Sequence, residues 1–267
     1  MFHPTSQTLL VSLAAGAVNA IAGGGTFLSF PALTAFGHLS EKLANITSTL
    51  GLWPGSASSV LAARSDFRRL PRAMLWSYAA ISLVGGALGS LLLLHTSTAA
   101  FKLVIPWLLL FATIVFAASK PIARWAARRQ SAGAPGARPP RAWTAAVALI
   151  QLAVAIYGGY FGAGMSVLML AGLAFAGRED MHQMNAMKVL LQTLINGTAC
   201  LIFALSHPAW HFVLPMALCS TISGFLAMSA ARRIPQQHLR LLILLCGIAL
   251  TIIYFAKNYA LVLHPPG

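Results

Sequence analysis

Apolar residues fall in eight long stretches separated by short polar or basic breaks: Leu9 to Gly37, Leu43 to Ala63, Ala73 to Leu94, Phe101 to Ser119, Trp143 to Ala176, Met181 to Leu205, Phe212 to Ala231 and Leu239 to Phe255. Most can form a helix of ~20 residues, the length that crosses the hydrocarbon core of a bilayer. Glycines interrupt the first stretch of each half, at Gly23-Gly24-Gly25 and at Gly162-Ala163-Gly164, and each break is followed by a polar helix. Irregular backbone at membrane depth is tolerated only where protein buries it or it lines a cavity. A break repeated at matching places therefore marks a candidate substrate site.

Superposing the breaks pairs Gly23 with Gly162 and Gly25 with Gly164, and one inserted residue later Asn45 with Asn185 and Ser48 with Lys188. The pattern predicts an all-α integral membrane protein made of two repeats of four membrane segments each, residues 1–118 and 143–267. Between them lies a linker, residues 119–142, rich in Arg, Pro, Gly and Ala and expected to be solvated rather than packed. Loop charge then orients the copies. Arg64, Arg68, Arg69 and Arg72 against Asp66 leave +3, the linker carries +6 (Lys120, Arg124, Arg128, Arg129, Arg138, Arg141), and Arg232, Arg233 and Arg240 add +3 near the end. All three clusters should be cytoplasmic. Eight simple crossings would put the last cluster on the wrong side. A first segment in each half that enters, breaks at glycine and returns would put all three on one side and invert the second repeat. The expectation is six crossings plus two re-entrant hairpins with both termini outside, against eight crossings with one exception to the charge rule.

Composition agrees with a membrane location. With 58% of its 267 residues hydrophobic and 8% charged, the chain has too little polar surface to cover a soluble globule. The net charge of +14 gathers in short loops, where it suits anionic headgroups rather than nucleic acid. The N-terminus has no basic stretch of the kind that opens a cleavable signal peptide. Cys200, Cys219 and Cys246 are dispersed in apolar runs with no metal-ligand spacing, and no cofactor motif is present. His207 and His211 flank Pro208, which disfavours the helix a metal pair would need. Several of the six tryptophans stand at segment ends, as an interfacial belt requires.

The candidate chemistry is anion binding. A short helix starting after each break offers unpaired backbone N–H groups and a positive dipole end, with Thr26 and Ser166 just past the glycines. The alternative is that the glycines serve close helix packing, as in Gly158-x-x-x-Gly162 and Gly85-Gly86-x-x-Gly89. Lys188 lies about two turns inside an apolar segment, where an ammonium costs ~2.5–3.5 kcal/mol on insertion scales. It shares a helical face with Asn185 and Gln192 and is expected to meet a cavity or a bound anion. Snorkelling toward Arg178, Glu179 and Asp180 is the competing reading. Its counterpart face, with Asn45, Ser48 and Trp53, is uncharged and could equally serve as interhelical glue. The four carboxylates, Glu41, Asp66, Glu179 and Asp180, all fall in loops, which leaves none inside a segment to carry a proton. No paired intramembrane carboxylates, Ser–base pair or H-E-x-x-H motif suggests an enzyme.

Ala22-Gly-Gly-Gly-Thr-Phe-Leu-Ser-Phe-Pro-Ala-Leu followed by Asn45-Ile-Thr-Ser resembles the first half of the TauE/SafE sulfite exporter family. Gly158-Gly-Tyr-Phe-Gly-Ala-Gly with Met184-Asn-Ala-Met-Lys188 resembles its second half. The likeness covers nearly the whole chain. It implies a bacterial inner-membrane permease for small sulfur-containing anions such as sulfite, thiosulfate or organosulfonates. The chain departs from the pattern in its Gly-Ala-Gly triplet, in lacking a counterpart to Pro31, and in a third segment of half two whose glycines are reduced to Ser223-Gly224-Phe225-Leu226-Ala227. The reading that follows is an alternating-access anion carrier, its site built from Gly23, Gly24, Gly25, Thr26, Asn45, Ser48, Gly162, Gly164, Ser166, Asn185, Lys188 and Gln192, with one repeat rocking on the other. A membrane scaffold without transport and an open anion channel are the alternatives.

Overall fold

The computed structural model describes residues 4–62, 72–132, 141–175, 181–230 and 236–263. Among them ten helices and no strand occur: α1 (Pro4–Ala22), α2 (Thr26–Ala35), α3 (Glu41–Ala62), α4 (Arg72–His95), α5 (Thr98–Ala132), α6 (Arg141–Tyr160), α7 (Met165–Phe175), α8 (Met181–Phe203), α9 (Trp210–Ala230) and α10 (Gln236–Leu263). Helices break at both glycine clusters for a backbone reason. Gly23 adopts φ +69°, and Gly162 and Gly164 adopt +78° and +75°, a left-handed region where a side chain is strained. Gly25 keeps helical angles, φ −57°. Its lack of a side chain serves packing instead, since a Cβ there would lie 2.6 Å from that of Asn19.

After each break the chain turns back on itself. Gly25 comes to rest beside Ala15 and Asn19 of α1, and Gly172 of α7 lies against Ile150 of α6. Each half thus opens with a helical hairpin, α1–α2 and α6–α7, whose tip is the glycine cluster. At about 1.5 Å per residue the 19 residues of α1 span about 28 Å, whereas the 10 of α2 return only about 15 Å.

The two halves interdigitate. Helix α3 runs along α9, with Gly51 on Met216, Gly55 on Ser220 and Gly224 on Gly55, and Ser58 donates to the Thr221 carbonyl at 3.1 Å. Helix α4 runs along α6 in the same manner, with Gly85 on Ala155, Gly159 on Gly86 and Gln151 donating to Ser82 at 2.9 Å. Each of these interfaces joins one half to the other, and exchanging the halves turns α3 on α9 into α8 on α4, a contact that is also present. The counterpart of α4 on α6 is α9 on α1, which is likewise in contact. Gly224 still allows close approach, so the reduced glycine content of that segment does not loosen the second half.

One end of the bundle collects the starts of α3 and α5 and the C-terminus of α4. Lys42 donates to the Leu94 and Thr96 carbonyls, 2.8 and 2.7 Å, and closes the C-terminus of α4. Glu41 lies 3.7 Å from Lys257. Inside α5, Pro106 has no N–H to give the Lys102 carbonyl, and Asn258 of α10 donates to that carbonyl at 2.5 Å instead. Arg72, Arg141 and Arg240 stand in the first turns of helices that begin at the opposite end, and Arg124, Arg128 and Arg129 in the last turns of α5, which finishes there. Arg64, Asp66, Arg68, Arg69, Arg138, Arg232 and Arg233 lie outside the described residues. The expected linker is partly helix: α5 continues past Ser119 to Ala132, because the Pro and Gly of that stretch are concentrated in 133–140 while 122–132 is rich in helix-forming Ala and Arg.

Among the described residues five helices are long and apolar enough to cross a membrane: Met74–His95, Thr98–Ala118, Met184–Phe203, Trp210–Ala227 and Leu241–Tyr259. Their outward faces carry Leu, Ile, Val and Phe, as lipid contact requires. Helix α3 is long enough but more polar. Its Asn45, Thr47, Ser48, Ser56, Ser58 and Ser59 are all buried against neighbouring helices. Trp76, Trp107 and Trp210 are exposed, but Trp53 is not an interfacial residue: it lies half-buried in mid-helix and donates to the Thr193 carbonyl of α8 at 3.0 Å.

Candidate functional site

The hairpin tips meet inside the bundle. Gly23 lies directly against the Ser166 side chain, so closely that a Cβ at position 23 would overlap its hydroxyl. Ser166 donates to Gln192 Oε1 at 2.5 Å, Gln192 Nε2 donates to Asn19 Oδ1 at 3.3 Å, and Asn19 Nδ2 donates to Ser56 at 3.0 Å. This buried chain ties α7 and α8 of one half to α1 and α3 of the other. Ser48 of α3 is 2.6 Å from Ser29, which donates to the Gly25 carbonyl at 3.2 Å. Each polar helix is therefore fastened to the hairpin of its own half through a hydroxyl on the short helix.

Both tips have spare donors. The first backbone bonds after the breaks come from Phe27 and Leu28 in one half and from Met165 and Val167 in the other. Among the described residues the N–H groups of Gly24, Gly25 and Thr26, and of Ala163, Gly164 and Ser166, have no acceptor. Six unpaired donors at two helix starts form a strongly donating environment. Thr26 is half-buried, while the other residues of the first break are buried.

Lys188 is 2% exposed, which removes the snorkelling alternative. Among the described residues its ammonium has no hydrogen-bond or ion-pair partner. One turn further along α8 stands Gln192, 5% exposed, at the junction of the two tips. Asn185 is half-buried on the same face. Asn45 is fully buried, and its Nδ2 donates at 3.0 Å to the carbonyl of Tyr160, the last residue of α6. Its Oδ1 has no partner. The structure thus brings Gly23, Ser166 and Gln192 together and Ser48 close to Gly25, with Lys188 a turn from the junction. Asn45 stands instead at the end of α6.

Asn19, Ser29, Ser56 and Tyr157 escape the sequence reading. Tyr157 donates to the Ala163 carbonyl at 2.6 Å and so braces the second break. An amide four residues before a glycine cluster, in an otherwise apolar helix, is the signal that would have found Asn19. A cavity of about 540 Å³ lies between α3, α8 and α9, lined by Trp53, Thr193, Gly197 and Trp210 among others. Another of about 570 Å³, between α4 and α6, has only apolar lining. Neither includes a break residue or Lys188. Among the described residues no cluster of His, Cys, Asp or Glu could hold a metal ion.

Comparison with known proteins yields one family. The family described as Sulfite exporter TauE/SafE matches residues 8–254. No curated protein and no solved structure matches the chain significantly.

Proposed function

The chain belongs to the sulfite exporter TauE/SafE family, a family of membrane transporters rather than enzymes, and from that membership we propose that it carries a small oxyanion across a bacterial inner membrane by alternating access. The observation that carries the proposal is Lys188, a buried ammonium without a partner among the described residues, one turn from the place where two donor-rich hairpin tips touch. An unpaired charge inside a membrane protein is costly, and a bound anion removes that cost. Sulfite, thiosulfate and short sulfonates fit such a site: each is compact and presents several oxygens to converging donors.

In this reading Lys188 supplies charge, the backbones at Gly23–Thr26 and Gly162–Ser166 supply N–H groups, and Ser48, Asn185 and Gln192 orient the oxygens. Asn45 acts at the second break, its donor being engaged there. The hairpins are re-entrant and the halves inverted, an arrangement that the exchange-symmetric contacts and the basic helix ends at one face support. Because the halves interdigitate, the moving bodies differ from the sequence repeats. One bundle consists of α1–α3 with α9 and α10, the other of α6–α8 with α4 and α5, and the tips lie between them. The test is anion counterflow in proteoliposomes with Lys188→Ala and Lys188→Arg. Loss of flux in the first, with partial retention in the second and both proteins folded, is expected; wild-type flux in Lys188→Ala would refute the role.

A further inference from the structure

We propose that the end of α6 holds a small monovalent cation, ligated by the Asn45 side-chain oxygen and the carbonyls at the second break. The proposal rests on the transporter reading and adds the ion whose gradient drives the anion. Asn45 is 0% exposed and its Oδ1 has no hydrogen-bond partner. Helix α6 stops at Tyr160, so its last carbonyls have lost their helical donors. Those of Gly158, Gly159 and Phe161, all buried residues, accept no hydrogen bond from the described residues. The negative end of the helix dipole lies at the same place.

The Asn45 amide nitrogen donates to the Tyr160 carbonyl at 3.0 Å. A half-turn of the amide exchanges its nitrogen and oxygen. Oδ1 and the Tyr160 carbonyl would then stand close enough to share one ion, and the buried acceptor that now lacks a partner would gain one. The ligands are neutral oxygens, which suit a single charge rather than a divalent ion. Glu41, the carboxylate among the described residues, lies one turn earlier on the same face of α3, 9% exposed and 3.7 Å from Lys257. It sets a negative potential at the approach without entering the site. Unwound carbonyls and half-helix C-termini hold coupling ions in other broken-helix carriers by the same physics. The apolar segments contain no carboxylate that could carry a proton in its place.

The experiment compares anion uptake into proteoliposomes in NaCl, KCl and choline chloride at one ionic strength and pH, and follows the melting temperature of the detergent-purified protein in the same salts. Uptake should fall about tenfold, within the usual range for coupled sites, when choline replaces Na+. Na+ should also raise the melting temperature. Both responses should vanish in Asn45→Leu and persist in Asn45→Asp, which keeps an oxygen ligand. Equal uptake in all three salts with a melting temperature indifferent to Na+ and K+ would overturn the proposal, as would an undiminished Na+ response in folded Asn45→Leu. Absence of uptake in every salt would count against the transporter reading instead, and the melting temperatures of the wild-type protein would still decide the cation site.

Discussion

Lys188 and Gly23 show how single residues set this site. Lys188 has no partner for its ammonium among the described residues, and in the proposed site a bound anion would supply one. The glycine tests the hairpin contact. Gly23→Ala would place a methyl on Ser166 and force a side chain into a left-handed conformation, whose backbone cost alone is about 1–2 kcal/mol. Gly164→Ala shares the positive φ, but its nearest neighbour would be 3.4 Å away. Thermal unfolding of the purified variants should show Gly23→Ala markedly less stable than Gly164→Ala; equal losses would mean that the tips do not touch. Asn19 offers a second test. Replacing it with Ala removes the partner of both Gln192 and Ser56, and leaving buried polar groups unpaired costs about 1–3 kcal/mol. A lower melting temperature in Asn19→Ala is expected, and no change would show that Gln192 finds another partner.

At the scale of elements, Pro106 and Asn258 make a separable pair. The proline leaves the Lys102 carbonyl without its helical donor, and the asparagine on α10 provides one. Asn258→Leu should destabilise the protein, and less so in a Pro106→Ala background, where residue 106 regains an N–H. The expected coupling in this double-mutant cycle is about 1 kcal/mol; strict additivity would contradict the assignment. Much at this scale is legible in the sequence. All eight apolar stretches became helices, and the two with central glycines became helical hairpins, because length, hydropathy and left-handed glycines are local properties. The extension of α5 to Ala132 was hidden by averaging: prolines and glycines of 133–140 coloured the reading of the Ala- and Arg-rich turns before them. Trp53 shares its face with Asn45 and Ser48 and joins two helices, donating to the Thr193 carbonyl of α8.

The whole molecule is where the sequence says least. Periodicity shows which face of a helix is buried but not which helix covers it, so the interleaving of α3 with α9 and of α4 with α6 could not be read from either half alone. It changes the mechanical picture. Rocking one sequence repeat on the other would break the tightest glycine contacts in the protein, whereas moving the two mixed bundles leaves them intact and shears the hairpin tips and the α5–α10 seam. Thr113 and Thr251 face each other across that seam at 3.5 Å, while Ser82 and Gln151 lie within one bundle. In a background without native cysteines, a disulfide between positions 113 and 251 should stop transport until reduced. One between 82 and 151 should leave it running. The reverse pattern would return the motion to the sequence repeats.

Counterflow of radiolabelled sulfite into proteoliposomes preloaded with unlabelled sulfite tests the central claim most directly, with thiosulfate and a short sulfonate as competitors. The account predicts transient accumulation that saturates and that both competitors suppress. No accumulation by demonstrably folded protein, or a flux that neither saturates nor shows counterflow, would contradict an alternating-access carrier of small sulfur oxyanions.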